Sequence, residues 1–207
     1  MVRIMKCSRV AFLAIFFAAA SASAAYAQVD LSASFFESFN GTSAGNGTKQ
    51  STPDSEGGMA EARYFKGPLV GFGASYAYNH TSLTLSPNGT QCDYACANPK
   101  TTLSGKANEV AFTWVPSMKV GKIRVFGLGG FGFYIMSPGN SVPEVTTVVR
   151  PAFVVGGGAD FALSAHLGIR VQYRDNIYKA VDPYPLYPAT GNFTSSSEPM
   201  GGLFFRF

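Results

Sequence analysis

The feature that most constrains this chain is where its charges fall within alternating segments. From residue 28 onward, stretches of roughly ten residues alternate apolar and polar positions between clusters of turn-forming residues. Period-two alternation places successive side chains on opposite faces of a β-strand. The segments lie near 28–39, 57–66, 69–79, 107–116, 122–136, 150–163, 167–178 and 197–207. In the third, Val70, Phe72, Ala74, Tyr76 and Tyr78 oppose Gly71, Gly73, Ser75, Ala77 and Asn79. In the seventh, Leu167, Ile169, Val171 and Tyr173 oppose Gly168, Arg170, Gln172 and Arg174. Glu61 and Arg63 likewise oppose Ala60, Ala62 and Tyr64; Glu109 opposes Val110 and Phe112; Arg124 opposes Ile123 and Val125; Asp160 opposes Phe153, Val155 and Phe161. Each of these mid-strand charges falls on the face opposite the apolar stripe.

Alternation alone also fits a soluble sandwich with one wet face. The two kinds of basic residue separate the cases. After residue 27, lysines 49, 66, 100, 106, 119, 122 and 179 read as loop, turn or strand-edge residues, whereas arginines 63, 124, 150, 170, 174 and 206 fall within the strands. A planar guanidinium suits an enclosed, hydrogen-bonded ion-pair network better than an ammonium does. The split therefore encloses the charged face, with Glu61, Glu109 and Asp160 as expected partners of Arg63, Arg124, Arg170, Arg174 and Arg206. An enclosed polar face and an apolar, aromatic outer face describe a transmembrane β-barrel. Eleven residues at ~3.3 Å each, tilted ~40–45°, cover ~26–28 Å along the normal, which matches the apolar band of such barrels.

The expected fold class is all-β: an eight-stranded antiparallel up-and-down transmembrane barrel over residues 28–207. An even strand number puts both termini and the short connections (66–68, 117–121, 164–166) on one side. The long connections 40–56, 80–106, 137–149 and 179–196 then share the other side.

Residues 1–27 read as a cleaved secretory signal peptide. Arg3, Lys6 and Arg9 form a basic start, Val10 to Ala20 an apolar run, and Ala25-Tyr26-Ala27 a small-residue cleavage site before Gln28. The net charge of +4 comes mostly from this segment, which holds three basic residues and no acid. Beyond it only Cys92 and Cys96 remain. Export makes a local disulfide the default for that pair; with no nearby His, the two thiols make half a metal site at most.

Several function classes drop out. Charged residues are only 14% of the chain, against about 25% in ordinary soluble domains. No apolar run is long enough for a transmembrane helix, and no clustered basic face points to nucleic acid. No cofactor and no metal are expected. Gly127-Leu128-Gly129-Gly130-Phe131-Gly132 matches a dinucleotide fingerprint, but more strand follows it rather than a helix.

The end of the chain carries a resemblance. Gly201, Leu203, Phe205 and Phe207 share one face and the sequence stops at Phe207, which resembles the terminal signature of bacterial outer-membrane barrels. The stretches 156–161, 163–167 and 170–174 are also similar to the small OmpA-like and opacity-type barrel family. The resemblance implies the bacterial outer membrane as location. It also implies outer-membrane lipid and lipopolysaccharide as surroundings, and barrel-assembly machinery that engages the C-terminal strand through Leu203, Phe205 and Phe207. A non-enzymatic barrel with long extracellular loops, for a surface ligand or a structural role, is the expected function.

Two alternatives stay open. His80 and Ser82 lie two apart on one strand face, so the imidazole is placed to activate the hydroxyl if a carboxylate orients it. The pair resembles that of outer-membrane lipid A deacylase barrels, although the family's Asn after the Ser is Leu83 here. The other alternative is a narrow solute or ion channel lined by Arg63, Arg124, Arg170 and Arg174. Against it, eight strands enclose little more than their own side chains.

Overall fold

The computed structural model describes residues 28–67, 69–88, 100–139, 146–182 and 188–207. Its strands are β1 (Gln28–Asn40), β2 (Ser43–Gly45), β3 (Thr48–Ser51), β4 (Ser55–Phe65), β5 (Gly71–Pro87), β6 (Thr101–Trp114), β7 (Ser117–Val120), β8 (Ile123–Pro138), β9 (Val148–Ala162), β10 (Leu167–Lys179) and β11 (Phe193–Arg206). Eight of them close a barrel in the order β1-β4-β5-β6-β8-β9-β10-β11, every neighbouring pair antiparallel, with β11 returning to β1. Closure leaves no strand edge to face lipid, which the bilayer requires.

The register fixes the shape. Stepping between paired residues from Asp30 through Arg63, Gly73, Thr113, Gly130, Val154, Asn176 and Ser196 returns to β1 at Asn40, ten residues from the start. With ~3.3 Å per residue and ~4.8 Å between strands, that stagger tilts the strands about 40° and gives a backbone radius of about 8 Å. From Ile123 to Phe133 along β8, the outward apolar stripe then covers about 25 Å along the barrel axis, the height of a membrane barrel's apolar band. Phe35, Phe72, Phe112, Trp114, Phe131, Phe153, Val171 and Leu203 are among the large apolar side chains exposed around this belt, far more than a soluble monomer tolerates.

Both chain ends and the short turns share one rim. The Phe207 N–H donates to the Val29 carbonyl, and the His166 carbonyl accepts from the Arg206 N–H. Ser164 Oγ caps the β9–β10 turn by accepting from the Leu167 N–H at 3.0 Å. The dinucleotide-like glycines lie in mid-β8, where a Cβ at Gly130 or Gly132 would strike the carbonyl of Phe112 or Val110. They serve close strand approach.

At the opposite rim the structure corrects the expected boundaries. Residues 80–87 and 101–106 are strand, not loop: β5 and β6 pair without interruption from Phe72↔Trp114 to Leu85↔Thr101. Lys106 therefore sits within a strand rather than in a loop, and so does Lys49. Within 40–56, β2 and β3 form a hairpin through Asn46 (φ 49°) and Gly47 (φ 75°), the positive-φ pair that a tight hairpin turn needs. β3 then adds to the upper part of β5. Polar composition reads as loop, yet threonine-rich strands pair well when one face meets water.

Two adjacent glycines test the packing. A Cβ at Gly202 would lie 2.1 Å from the Ala33 carbonyl oxygen, whereas one at Gly201 meets nothing within 4 Å. Gly202→Val should abolish the folded band of an unboiled SDS gel, while Gly201→Ala should keep it.

Candidate functional site

The interior carries the densest chemistry. Asp30, Glu61, Arg63, Glu109, Arg124, Asp160, Arg170, Arg174 and Glu198 are buried and Arg206 is half-buried. All point into the lumen, because each shares the inward parity of its strand. Register sets opposite charges directly across from one another: Asp30 lies between Arg206 and Arg63, Asp160 between Arg124 and Arg170, and Glu198 faces Arg174. Cross-strand pairs of opposite charge support a sheet. Guanidiniums and carboxylates are equal in number.

Near the rim with the termini, Arg170 is the hub. Its Nε and Nη2 bind the two oxygens of Asp160 at 2.7 and 3.0 Å, and its Nη1 donates to Glu61 Oε2 and Ser32 Oγ at 3.0 Å each. Arg206 binds both oxygens of Asp30 at 3.1 and 3.2 Å. Arg124 reaches Asp30 at 3.3 Å and Gln28 at 2.7 Å. Arg63 lies 2.8 Å from Glu61 and donates across the lumen to Gln172. Aromatic faces complete the packing: Arg63 lies 4.1 Å from the centroid of the Phe126 ring and Arg124 lies 4.3 Å from that of Phe65.

Higher in the lumen, Arg174 joins two carboxylates. Its Nη2 donates to Glu198 at 2.6 Å and Glu109 at 2.7 Å, while Asn176 donates to Glu109 at 2.8 Å. Ser75 of β5 accepts from Arg174 at 3.3 Å. All eight barrel strands thus contribute a polar side chain to the lumen. Above this layer an apolar cluster of Leu83, Leu85, Leu103, Tyr134, Met136, Tyr178 and Val181 fills the lumen beside buried Ser43, Gln50 and Thr81. The two voids found there and beside Glu109 are about 10 Å³ each, room for a single water at most.

Asp30 and Glu198 are the members the sequence reading omitted. Both carry the signal that found the others: Glu198 has the parity of Arg206, opposite Leu203 and Phe205, and Asp30 lies opposite Leu31 on the first segment.

The remaining candidates fall elsewhere. His80 and Ser82 point outward on β5, across from Lys106 and Ser104. His80 Nδ1 lies 3.5 Å from the Tyr78 hydroxyl. Among the described residues no carboxylate reaches the imidazole, and Glu109 is committed to Arg174 and Asn176 inside. Leu203, Phe205 and Phe207 are exposed at the outer wall, with Phe205 and Phe207 edge to face at 5.0 Å. Cys92 and Cys96 lie outside the described residues, as do residues 1–27. Among the described residues no cluster of His, Cys, Asp and Glu has the makings of a metal site.

The network makes a stability prediction. Arg170→Met removes both hydrogen bonds that Asp160 receives from Arg170 and leaves Glu61 with Arg63 alone, and should cost about 3–5 kcal/mol, the usual result of removing one partner from a buried pair. Asp160→Asn added to Arg170→Met should recover part of the loss. Urea midpoints read from the gel-shift of the folded band measure both.

Residues 10–196 match the family model described as outer membrane protein beta-barrel domain. Solved structures with a similar fold include Ail, the attachment invasion locus protein of Yersinia pestis, in complex with the heparin analogue sucrose octasulfate. The identity is 15% and the TM-score 0.55 over 87% of this chain and 99% of that one. OprG from Pseudomonas aeruginosa is 11% identical with a TM-score of 0.57 over 87% and 95%. Neisserial surface protein A is 10% identical with a TM-score of 0.53 over 88% and 98%. No curated protein matches the sequence. A closed eight-stranded barrel with a charged lumen and an apolar belt, matched over most of its length by that family model, belongs to the outer membrane protein beta-barrel family of the bacterial outer membrane.

Proposed function

We propose that this is a non-enzymatic surface barrel whose extracellular platform, rather than its lumen, does the recognising. One observation carries the reading: above the belt the wall continues as a fixed sheet. β6, β5, β3 and β2 pair in sequence there, and the β2–β3 hairpin is tied to residues 189–194. Asn46 donates to the Ala189 carbonyl at 2.8 Å, Asn192 to the Ala44 carbonyl at 2.6 Å, and Ser43 to Thr190 Oγ1 at 3.0 Å. A surface ordered before contact loses little entropy on binding.

The outward face of this platform is rich in hydroxyls and cations. Ser82, Thr84 and Ser86 of β5 stand beside Thr102 and Ser104 of β6, with Thr84 and Thr102 hydroxyls 3.2 Å apart. Lys49 and Lys106 are exposed on the same face, and among the described residues neither has an ion-pair partner. That chemistry fits an anionic polysaccharide. The heparin analogue bound by Ail, a protein of similar fold, supports the same ligand class.

Residues 1–27 would export the chain. Leu203, Phe205 and Phe207 would present the C-terminal strand to the assembly machinery, and outer-membrane lipid and lipopolysaccharide would surround the belt. The sealed lumen weighs against a conducting channel, and His80 without an orienting carboxylate weighs against hydrolysis.

Cells displaying Lys49→Ala/Lys106→Ala should retain several-fold less labelled heparin than cells displaying the unaltered barrel at equal surface level; equal retention would remove the anionic-glycan reading. His80→Ala/Ser82→Ala should leave the acylation of lipid A unchanged in mass spectra of extracted lipid, and a loss of deacylated species in that variant would restore the enzyme.

A further inference from the structure

The charges of the lumen balance in total but not layer by layer. Near the rim with the termini, Arg63, Arg124, Arg170 and Arg206 meet Asp30, Glu61 and Asp160, which leaves one cation in surplus. Arg206, half-buried at the open rim, is the member nearest water. The upper layer has the opposite surplus, and it is enclosed. Glu109 and Glu198 are 6% and 0% exposed and bind the same nitrogen, Arg174 Nη2, at 2.7 and 2.6 Å. Among the described residues neither carboxylate has a second cationic partner, and no ion pair joins the two layers.

The surroundings supply no further cation. Asn176 of β10 donates to Glu109, and Ser75 of β5 accepts from Arg174. Tyr134 of β8 and Tyr178 of β10 face the pair from the plug, and Glu61 of β4 adds negative charge toward Arg174. Arg150, the register partner of Tyr134 on β9, is bound to Asp182 at 3.2 Å. β1 presents the hydroxyl of Ser38, and β11 that of Ser196. A buried carboxylate with no cation of its own is neutralised by a proton, and two that share one site cannot both stay ionised cheaply.

We propose that Glu109 and Glu198 share one proton at neutral pH, taken up from the extracellular side. Ser196 Oγ donates to Glu198 Oε1 at 3.3 Å, Ser38 Oγ lies 2.7 Å from Ser196 Oγ, and Asn40 Oδ1 lies 3.3 Å from Ser38 Oγ at the rim. Ser196 passes its proton to the carboxylate and regains one from Ser38, which takes one from water beside Asn40. The site coincides with a gap in the closing seam. β1 and β11 pair from Asp30↔Arg206 to Phe36↔Met200 and again from Phe39↔Ser197, with no pair between. Pro199 lies in that gap without an N–H to donate, and Glu198 is its neighbour. Loss of the proton sets two carboxylates against one guanidinium where the backbone ties β11 to β1 least, so extracellular alkali loosens the seam.

Infrared spectra of the intact barrel in detergent at neutral pH should show the carbonyl band of a protonated carboxyl, lost in both Glu109→Gln and Glu198→Gln. Absence of the band, or its survival in either variant, overturns the proposal. A proton held by the fold and released on unfolding lowers the folding equilibrium as pH rises above the ordinary carboxyl range, by up to about tenfold per pH unit. The urea midpoint of the folded gel band should therefore fall more steeply with pH in the unaltered barrel than in Glu109→Gln. At alkaline pH Glu109→Gln should have the higher midpoint, whereas Asp160→Asn, which unbalances the lower layer further, should have a lower one. A Glu109→Gln barrel that is less stable at alkaline pH, or that loses its folded band, overturns the shared proton. Ser38→Ala/Ser196→Ala should slow the deuterium shift of the carboxyl band several-fold; an unchanged rate overturns the route.

Discussion

The architecture depends on neutralising charge in a lumen too narrow for bulk water. With a backbone radius of about 8 Å, the interior has room for side chains and little else. A guanidinium is long and forked enough to reach across that space. Arg170 of β10 reaches Glu61 on β4, and Arg174 reaches Glu109 on β6. These contacts act as struts between strands that are not neighbours in the wall. Their net worth against an apolar filling is not the point, since buried ion pairs often break even. Their consequence is register. A one-residue slip of β10 would carry Arg170 and Arg174 from the lumen into lipid and leave Asp160 and Glu198 facing nothing.

A second constraint acts along the strands rather than across them. Within the belt, Phe72 and Tyr76 of β5 point out while Glu61 on β4 and Glu109 on β6, the neighbouring strands, point in. Above it the sense reverses: Leu83 and Leu85 point in, while Ser82 and Thr84 point out. β6 changes in the same place, with Leu103 inward and Lys106 outward below the loop, then Phe112 outward nearer the other rim. The backbone is one continuous ladder throughout, so what inverts is the solvent. The change between Tyr76 and His80 marks the level at which the wall leaves lipid and enters water. The apolar plug of Leu83, Leu103, Tyr134 and Tyr178 is the same inversion viewed from inside.

That inversion explains which parts of the fold were legible from residues alone. Parity located the inward charges on the middle strands because lipid enforces a clean apolar stripe there, and the arginine–lysine split told enclosure from exposure. The same rule was less informative above the belt. Ser82, Thr84, Ser86, Thr102 and Ser104 carry the composition of a loop, and their alternation with Leu83, Leu85 and Leu103 has the phase of a soluble sheet. Lys49 and Lys106 therefore read as loop residues while sitting in strands. Asp30 and Glu198 were within reach of the parity rule but stand near the ends of the segments 28–39 and 197–207 as read from alternation, where boundaries are weakest; β11 in fact begins at Phe193. The meeting of Glu109 and Glu198 on Arg174 was not accessible in this way, because it depends on reach across the lumen.

The two halves of the molecule also divide its physical tasks. Below the water line, the inward charges serve one another, between adjacent strands as Arg170 and Asp160 do or across the lumen as Arg174 and Glu109 do, and substitution there acts on stability first. Above it, side chains of β2, β3 and the final loop bond mainly to backbone carbonyls, as Asn46 and Asn192 do. Those bonds hold the platform's shape, and the outward ammonium groups of Lys49 and Lys106 take no part in them. One hydrogen-bonded chain joins the two regions beside the plug of leucines and tyrosines: it runs from Glu198, the partner of Arg174, through the hydroxyls of Ser196 and Ser38 to Asn40 at the rim. The outward side chains of β5 and β6 above the belt take no part in that chain, so they can vary while the barrel beneath keeps one register.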